Sequence, residues 1–150
     1  MDFRIETMSR AHLAEMLAIE RASFAMPWSE RSFRYELYNP ASVSYVALTD
    51  SPNTSSVAGY VIARQVLDEG HILNLAVRAD LRRTGIAETL VRKVIEDMRS
   101  YDCRFMYLEV RASNHAARRL YEKLGFKVAG TRKAYYDHPQ EDAVMMALEL

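Results

Sequence analysis

Two stretches carry residues that could do chemistry. In LEVRASNHAARRLYEKLGF, residues 108–126, a strand-like run ends on Glu109, turns through Ser113 and Asn114, and is followed by Tyr121. A carboxylate can take a proton from an attacking group, and a phenol can give one to a departing group. In LRRTGIAETL, residues 81–90, Gly85 follows Arg82 and Arg83 and opens an amphipathic run. There, exposed backbone N–H groups and the helix dipole can hold a phosphate. Gly85 lets the backbone come close to an anion, and Ala87 keeps the next approach open.

Each feature also has a plainer reading. Glu109 shares a strand face with Phe105 and Tyr107. It is either partly desolvated and suited to act as a general base, or a strand-end carboxylate paired with a neighbouring arginine. Tyr121 lies four residues after Ala117 and three before Leu124. It is either a proton donor or a core tyrosine with a wet hydroxyl. Asn114 reads as a helix N-cap. RRTGIA is an anion site or a simple glycine turn; it lacks the Gly-Lys-Ser/Thr of a Walker A loop and the Gly-x-Gly-x-x-Gly of a dinucleotide fold.

Other chemistries find no support. His12, His71, His115 and His138 have no metal-ligand spacing. Cys103 has no His close in sequence, and no Gly-x-Ser-x-Gly elbow occurs. Aromatics such as Trp28, Phe33, Tyr135 and Tyr136 are more often core or surface packing than a ligand cage.

The elements that must position these residues follow from periodicity. FRIET alternates like a strand. Ser9 can cap a helix over 10–22, with Leu13, Met16, Leu17 and Glu20 at helical spacing. Pro27-Trp28 breaks the chain, and Ser29 caps a short helix carrying Phe33 and Leu37. Strands are expected at 43–48, 57–66 and 71–77, with 49–56 as a hairpin connection. Residues 85–99 form the clearest helix, striped by Ile86, Leu90, Val91, Val94, Ile95 and Met98. A strand at 104–110, a helix at 114–124 stopped by Gly125, and two closing strands complete the order. A meander followed by strand–helix–strand units means a mixed sheet with helices on its faces, an α/β (α+β mixed) class.

The 150 residues are expected to form a single domain, 1–150, with a real core. Twenty basic residues balance 20 acidic ones, which argues against broad nucleic-acid binding. The opening MDFRIETMSR does not read as a signal peptide, and no apolar run is long enough to span a bilayer. A cytoplasmic protein is expected, with no membrane partner, acting as a monomer.

The combination is more specific than its parts. HILNLAV followed by Arg-x-x-Gly-x-Ala, then LEVRASNHAARRLYEKLGF, resembles the GNAT acyltransferase superfamily over nearly the whole chain. IERASFAMPWSE, VLDEGHILNLAV, LYEKLGF and the final Tyr-Tyr before Glu-Asp-Ala look like the bacterial ribosomal-protein-alanine N-acetyltransferases of the RimI type. Ala87 stands where that family often has Gly.

The resemblance implies a mostly antiparallel sheet of about seven strands, helices on both faces, and strands splayed at the cofactor site. It implies acetyl-CoA as donor and a protein N-terminus, such as that of an alanine-starting ribosomal protein, as acceptor. The backbone of 83–88 (Arg83, Thr84, Gly85, Ile86, Ala87, Glu88), with Arg82, would hold the pyrophosphate. Leu75, Ala76 and Val77 would pair with the pantetheine arm, and one of their N–H groups could polarise the thioester carbonyl. Asn114 would touch the cofactor, Glu109 would accept the amine proton, and Tyr121 would protonate the departing thiolate. Pro27, Trp28, Phe33, Tyr135 and Tyr136 would line the substrate side. Lysine or small-amine acetylation, and a silent acyl-CoA-binding module, are the alternatives.

Overall fold

The computed structural model describes residues 2–51 and 54–150. Seven strands form one sheet: β1 (Phe3–Thr7), β2 (Tyr45–Ser51), β3 (Thr54–Val66), β4 (Glu69–Val77), β5 (Phe105–Arg111), β6 (Lys127–Tyr136) and β7 (Glu141–Glu149). Their spatial order is β1-β2-β3-β4-β5-β7-β6. Every neighbouring pair is antiparallel except β4 and β5. The β2–β3 hairpin pairs as far as Ser51 and Thr54. The tip of the expected 49–56 connection, residues 52 and 53, lies outside the described residues.

Four α-helices flank the sheet: α1 (Leu13–Ser23), α2 (Glu30–Tyr38), α3 (Ile86–Ser100) and α4 (His115–Lys123). The helix expected over 10–22 is divided, because Arg10–His12 forms a 3₁₀ turn ahead of α1. The Ser9 N–H donates to His12 Nδ1 there, at 3.0 Å. α2 starts as expected, with Ser29 Oγ accepting from the Ser32 N–H at 3.2 Å.

Side-chain alternation sorts the core into two layers. Val46, Leu48, Val57, Tyr60, Ile62 and Ala76 turn to one face and pack with Leu13, Met16, Leu17, Ile19 and Phe33 of α1 and α2. Ala47, Ala58, Val61, Met106, Leu108, Val110, Val144 and Met146 turn to the other. There they meet the α3 stripe, whose six expected residues, Ile86 through Met98, are all buried. α4 joins this second layer through Tyr121, and Gly125, at φ 101°, ends the helix in a left-handed conformation that favours glycine.

The β4–β5 seam positions the site. Its parallel pairing runs only from Glu69 opposite Phe105 to Ile72 opposite Leu108. β4 then continues to Val77 and β5 to Arg111, each still held on its far side by β3 and β7. The sheet therefore opens in its middle, as expected. No helix among the described residues is long and apolar enough to cross a membrane.

Candidate active site

Two cavities meet at this opening. The first, of about 660 Å³, runs between the end of β4, the start of α3 and the exposed face of α4. The second, of about 500 Å³, lies between the α1–α2 loop, β4 and β5. Ser23, Phe24, Leu75, Asn114 and Ala117 line both, so the two are continuous across the splay.

The first cavity has the features of a phosphate-holding groove. Gly85 is the N-cap of α3, with φ 88°, and among the described residues no side chain caps it. The first intrahelical bond is made by the Thr89 N–H to the Gly85 carbonyl, at 3.1 Å. The N–H groups of Ile86, Ala87 and Glu88 are left to point outward. Arg83, at φ 64°, precedes Gly85 in the same left-handed region, so successive peptide groups curl into a concave cradle. A Cβ built on Gly85 would meet no atom within 4 Å, so the space beside it belongs to the groove.

The side chains of this loop divide by role. Thr84 Oγ1 donates back to the Leu81 carbonyl at 2.6 Å and locks the turn. Arg82 Nε donates to the Val77 carbonyl at 3.2 Å, which ties the loop to the end of β4. Arg83 is exposed at the groove. A carboxylate in an anion site would be repulsive, but Glu88 is answered by Lys123 at 2.7 Å and Arg92 at 3.6 Å. Lys123 chiefly, with Arg92, holds its carboxyl below the usual range. Arg119 and Lys123 also line the groove, and sequence reading missed both. With Ala116 and Leu120 they fall at helical spacing on one α4 face, a pattern that reads equally as an ordinary solvated face.

Leu75, Ala76 and Val77 line the groove from the unpaired edge of β4. Asn114 lines it too, while its side chain caps α4 by accepting from the Ala117 N–H at 3.2 Å.

The second cavity brings Glu109 and Tyr121 together, although they belong to different layers. Leu108 and Val110 are in the α3–α4 core, so Glu109, between them, points to the opposite face. Tyr121 comes from the α3–α4 side. Only the gap between β4 and β5 lets both line one space.

Glu109 is not sealed among aromatics. Arg132 on β6 stands 3.5 Å from it, with the two side chains 53% and 27% exposed. The plainer reading, a strand-end carboxylate beside an arginine, therefore describes its resting contact. Tyr135 adjoins it, its hydroxyl pushed above the ordinary pKa first by a hydrogen bond to Glu109 and then by burial. Tyr136 lines the cavity, and burial above all pushes its hydroxyl up to about 12.

Tyr121 is 5% exposed and packs edge-on against Phe126, ring centroids 5.6 Å apart. Burial, and then proximity to Tyr136, pushes its hydroxyl well above the ordinary tyrosine range.

Three substrate-side expectations need correction. Phe33 is fully buried and cannot touch a ligand; it packs edge-on against Tyr60 and supports Trp28, whose ring centroid is 5.3 Å away. Pro27 and Tyr135 are exposed and lie outside the cavity lining. Trp28 lines the cavity, together with Phe24, Ala25 and Met26 of the same loop.

The acetyltransferase (GNAT) family profile matches residues 13–126. The chain belongs to this family. A [ribosomal protein bS18]-alanine N-acetyltransferase of Salmonella typhimurium is 36% identical over 148 residues, covering 97% of each chain. The crystal structure of the ribosomal-protein-S18-alanine N-acetyltransferase from Escherichia coli superposes with a TM-score of 0.88 at 33% identity, covering 99% of this chain and 94% of that one. The NatC complex bound to Gag peptide and CoA contains a chain that superposes with a TM-score of 0.89 at 26% identity, over 100% and 99% of the two chains.

As a GNAT enzyme the protein uses acetyl-CoA, and its groove suits that molecule. The outward N–H groups of α3, the open space at Gly85 and the cations Arg83, Arg119 and Lys123 fit a pyrophosphate and a further phosphate. The free edge of β4 fits an extended amide-bearing arm, which can add as a strand does.

A substitution tests this end of the site. Gly85→Val places a branched side chain where phosphate would lie, at a φ that β-branched residues avoid. Acetyl-CoA affinity, read by calorimetry, is expected to fall more than about tenfold while the circular-dichroism spectrum stays unchanged. Unaltered affinity would remove the loop from the binding site.

Proposed function

We propose that the protein is an N-alpha-acetyltransferase that moves acetyl from acetyl-CoA to the N-terminal amine of a protein, an alanine-starting ribosomal protein being the favoured acceptor. The observation that carries this is the pairing of two cavities at one splay, with a carboxylate and a phenol converging on the second. The bS18-alanine activity of the Salmonella and E. coli relatives supports the acceptor. The NatC structure supports a peptide lying beside CoA in this architecture.

In this reading acetyl-CoA supplies an acetyl group activated as a thioester. The chain's own residues manage the protons. An α-ammonium has a reference pKa of about 8, against about 10.4 for lysine, so a single carboxylate can assist its deprotonation. Glu109 does so, directly or through a water. Arg132 must first yield. A pair this exposed is worth at most about 1 kcal/mol, so an arriving ammonium can displace the guanidinium. Tyr121 donates its hydroxyl proton towards the departing sulfur. Trp28 and Tyr136 wall the space that the chain end enters.

Peptides separate this reading from the alternatives. A peptide with a free alanine N-terminus is expected to be acetylated, and the same peptide with a blocked α-amine to be inert even when it holds internal lysines. Mass spectrometry locates the added acetyl group. Equal modification of the blocked peptide would overturn the N-terminal assignment.

A further inference from the structure

β4 carries one residue more than β3 at the point where the sheet opens. Ile62 is opposite Asn74 and Ala63 opposite Ile72, leaving Leu73 as the extra residue. Such a bulge reverses the alternation of the strand beyond it. Ile72 lies in the α3–α4 layer, and two residues later Asn74 reaches the opposite layer, where it meets α1.

Its partner is Glu20, which is 1% exposed. Glu20 Oε1 accepts from Asn74 Nδ2 at 2.7 Å and from the Tyr60 hydroxyl. Its Oε2 accepts from the Trp28 N–H at 2.9 Å. All three donors are neutral, and among the described residues no Lys, Arg or His pairs with it. Glu20 and Asn74 both line the second cavity, beside Glu109 and Tyr121.

An Asn side chain offers a donor on one side and an acceptor on the other. Because Nδ2 donates to Glu20, Oδ1 is turned away from it. Oδ1 has no hydrogen bond from the described residues and is not among their sealed, unpaired atoms. It is an acceptor left for a ligand.

We propose that Asn74 is a second acceptor for the substrate amine, and that Glu20 is the positioning residue that fixes its orientation. The attacking nitrogen carries several N–H bonds. Glu109 takes one, and Asn74 Oδ1 holds another so that the lone pair faces the acetyl group. Glu20 acts only through Asn74. It also ties the Trp28 main chain, and so the opposite wall of the cavity, to the same anchor. This assignment rests on the amine-acetylating reading above.

Glu20→Gln and Asn74→Ala, singly and combined, test it. A glutamine cannot accept from all three donors. With the Trp28 N–H fixed, its Nε2 faces Asn74, which must flip and present a donor to the cavity. Both single variants are expected to raise the KM of the amine substrate roughly tenfold, the size of one hydrogen bond to a charged donor. Acetyl-CoA affinity should change less than about twofold. The double variant should be no worse than Asn74→Ala alone, because one residue works through the other.

Additive losses would overturn the positioning role, as would a matching loss of acetyl-CoA affinity in Glu20→Gln, which marks a scaffold residue. An unchanged KM in Asn74→Ala would overturn the acceptor role. The variants are compared on whichever amine the wild type turns over, so failure of the alanine-peptide assignment shows separately, in the wild type itself.

Discussion

Glu109→Gln is expected to lower the rate of transfer to an alanine-starting peptide by roughly 10²–10⁴-fold, the usual worth of general-base assistance. The substitution keeps the shape and one acceptor of the side chain and removes its ability to take a proton. The pH profile then decides how Glu109 works. With an amine pKa of about 8, about a tenth of the substrate is neutral at pH 7 and most of it at pH 9. If Glu109 acts during attack, raising the pH recovers only about tenfold of the loss. If it merely strips the proton beforehand, the loss at pH 7 is itself only about tenfold and vanishes near pH 9. An unchanged rate and profile would move the base elsewhere.

Loss of the Arg132 contact does not confuse the result. That pair is long, at 3.5 Å, and partly exposed, so it contributes little to stability. Melting temperature should therefore move little while turnover collapses.

The sequence made some of this legible and concealed the rest, for physical reasons. The α3 stripe was readable because a one-sided helix repeats every few residues, and all six named positions are buried. The N-caps Ser29 and Asn114 were readable because capping is local chemistry. The β4–β5 opening was expected from the family resemblance alone. Periodicity shows which residues share a face but not where two strands stop pairing. The bulge at Leu73 was hidden for the same reason, and with it the turn of Asn74 towards Glu20. Glu20 itself was read only at helical spacing with Leu13, Met16 and Leu17, which gave its face of the helix without revealing its burial or its three donors.

Phe33 shows the opposite error. Resemblance placed it on the substrate side, but a short helix must bury its large apolar residue somewhere, and Tyr60 and Trp28 already form the slot. Arg132 could not be paired with Glu109 from spacing, since β6 reaches it only by way of β7.

Tyr121→Phe is expected to lower turnover by roughly two orders of magnitude, within the range for a lost acid–base group. Stability and acetyl-CoA affinity should stay close to wild type. The ring keeps its edge-on contact with Phe126, and no described residue loses a hydrogen bond when the hydroxyl goes. Burial gives the pH dependence its sign. Because the Tyr121 hydroxyl is raised above the ordinary value of about 10, it stays protonated throughout the range in which the amine titrates. The wild-type rate should climb with pH as free amine accumulates and show no fall below about pH 10. A descending limb near pH 8 or 9 would point to a different acid.

The same burial sets a limit on the step. A thiolate of about 8.5 is a weaker base than a tyrosinate of about 10 or more, so complete transfer from Tyr121 is uphill. In the proposed mechanism the hydroxyl would therefore act chiefly as a hydrogen-bond donor to charge building on the sulfur, in a pocket dry enough to make that bond strong. Full wild-type turnover in Tyr121→Phe would reduce the residue to packing and leave the departing sulfur to solvent.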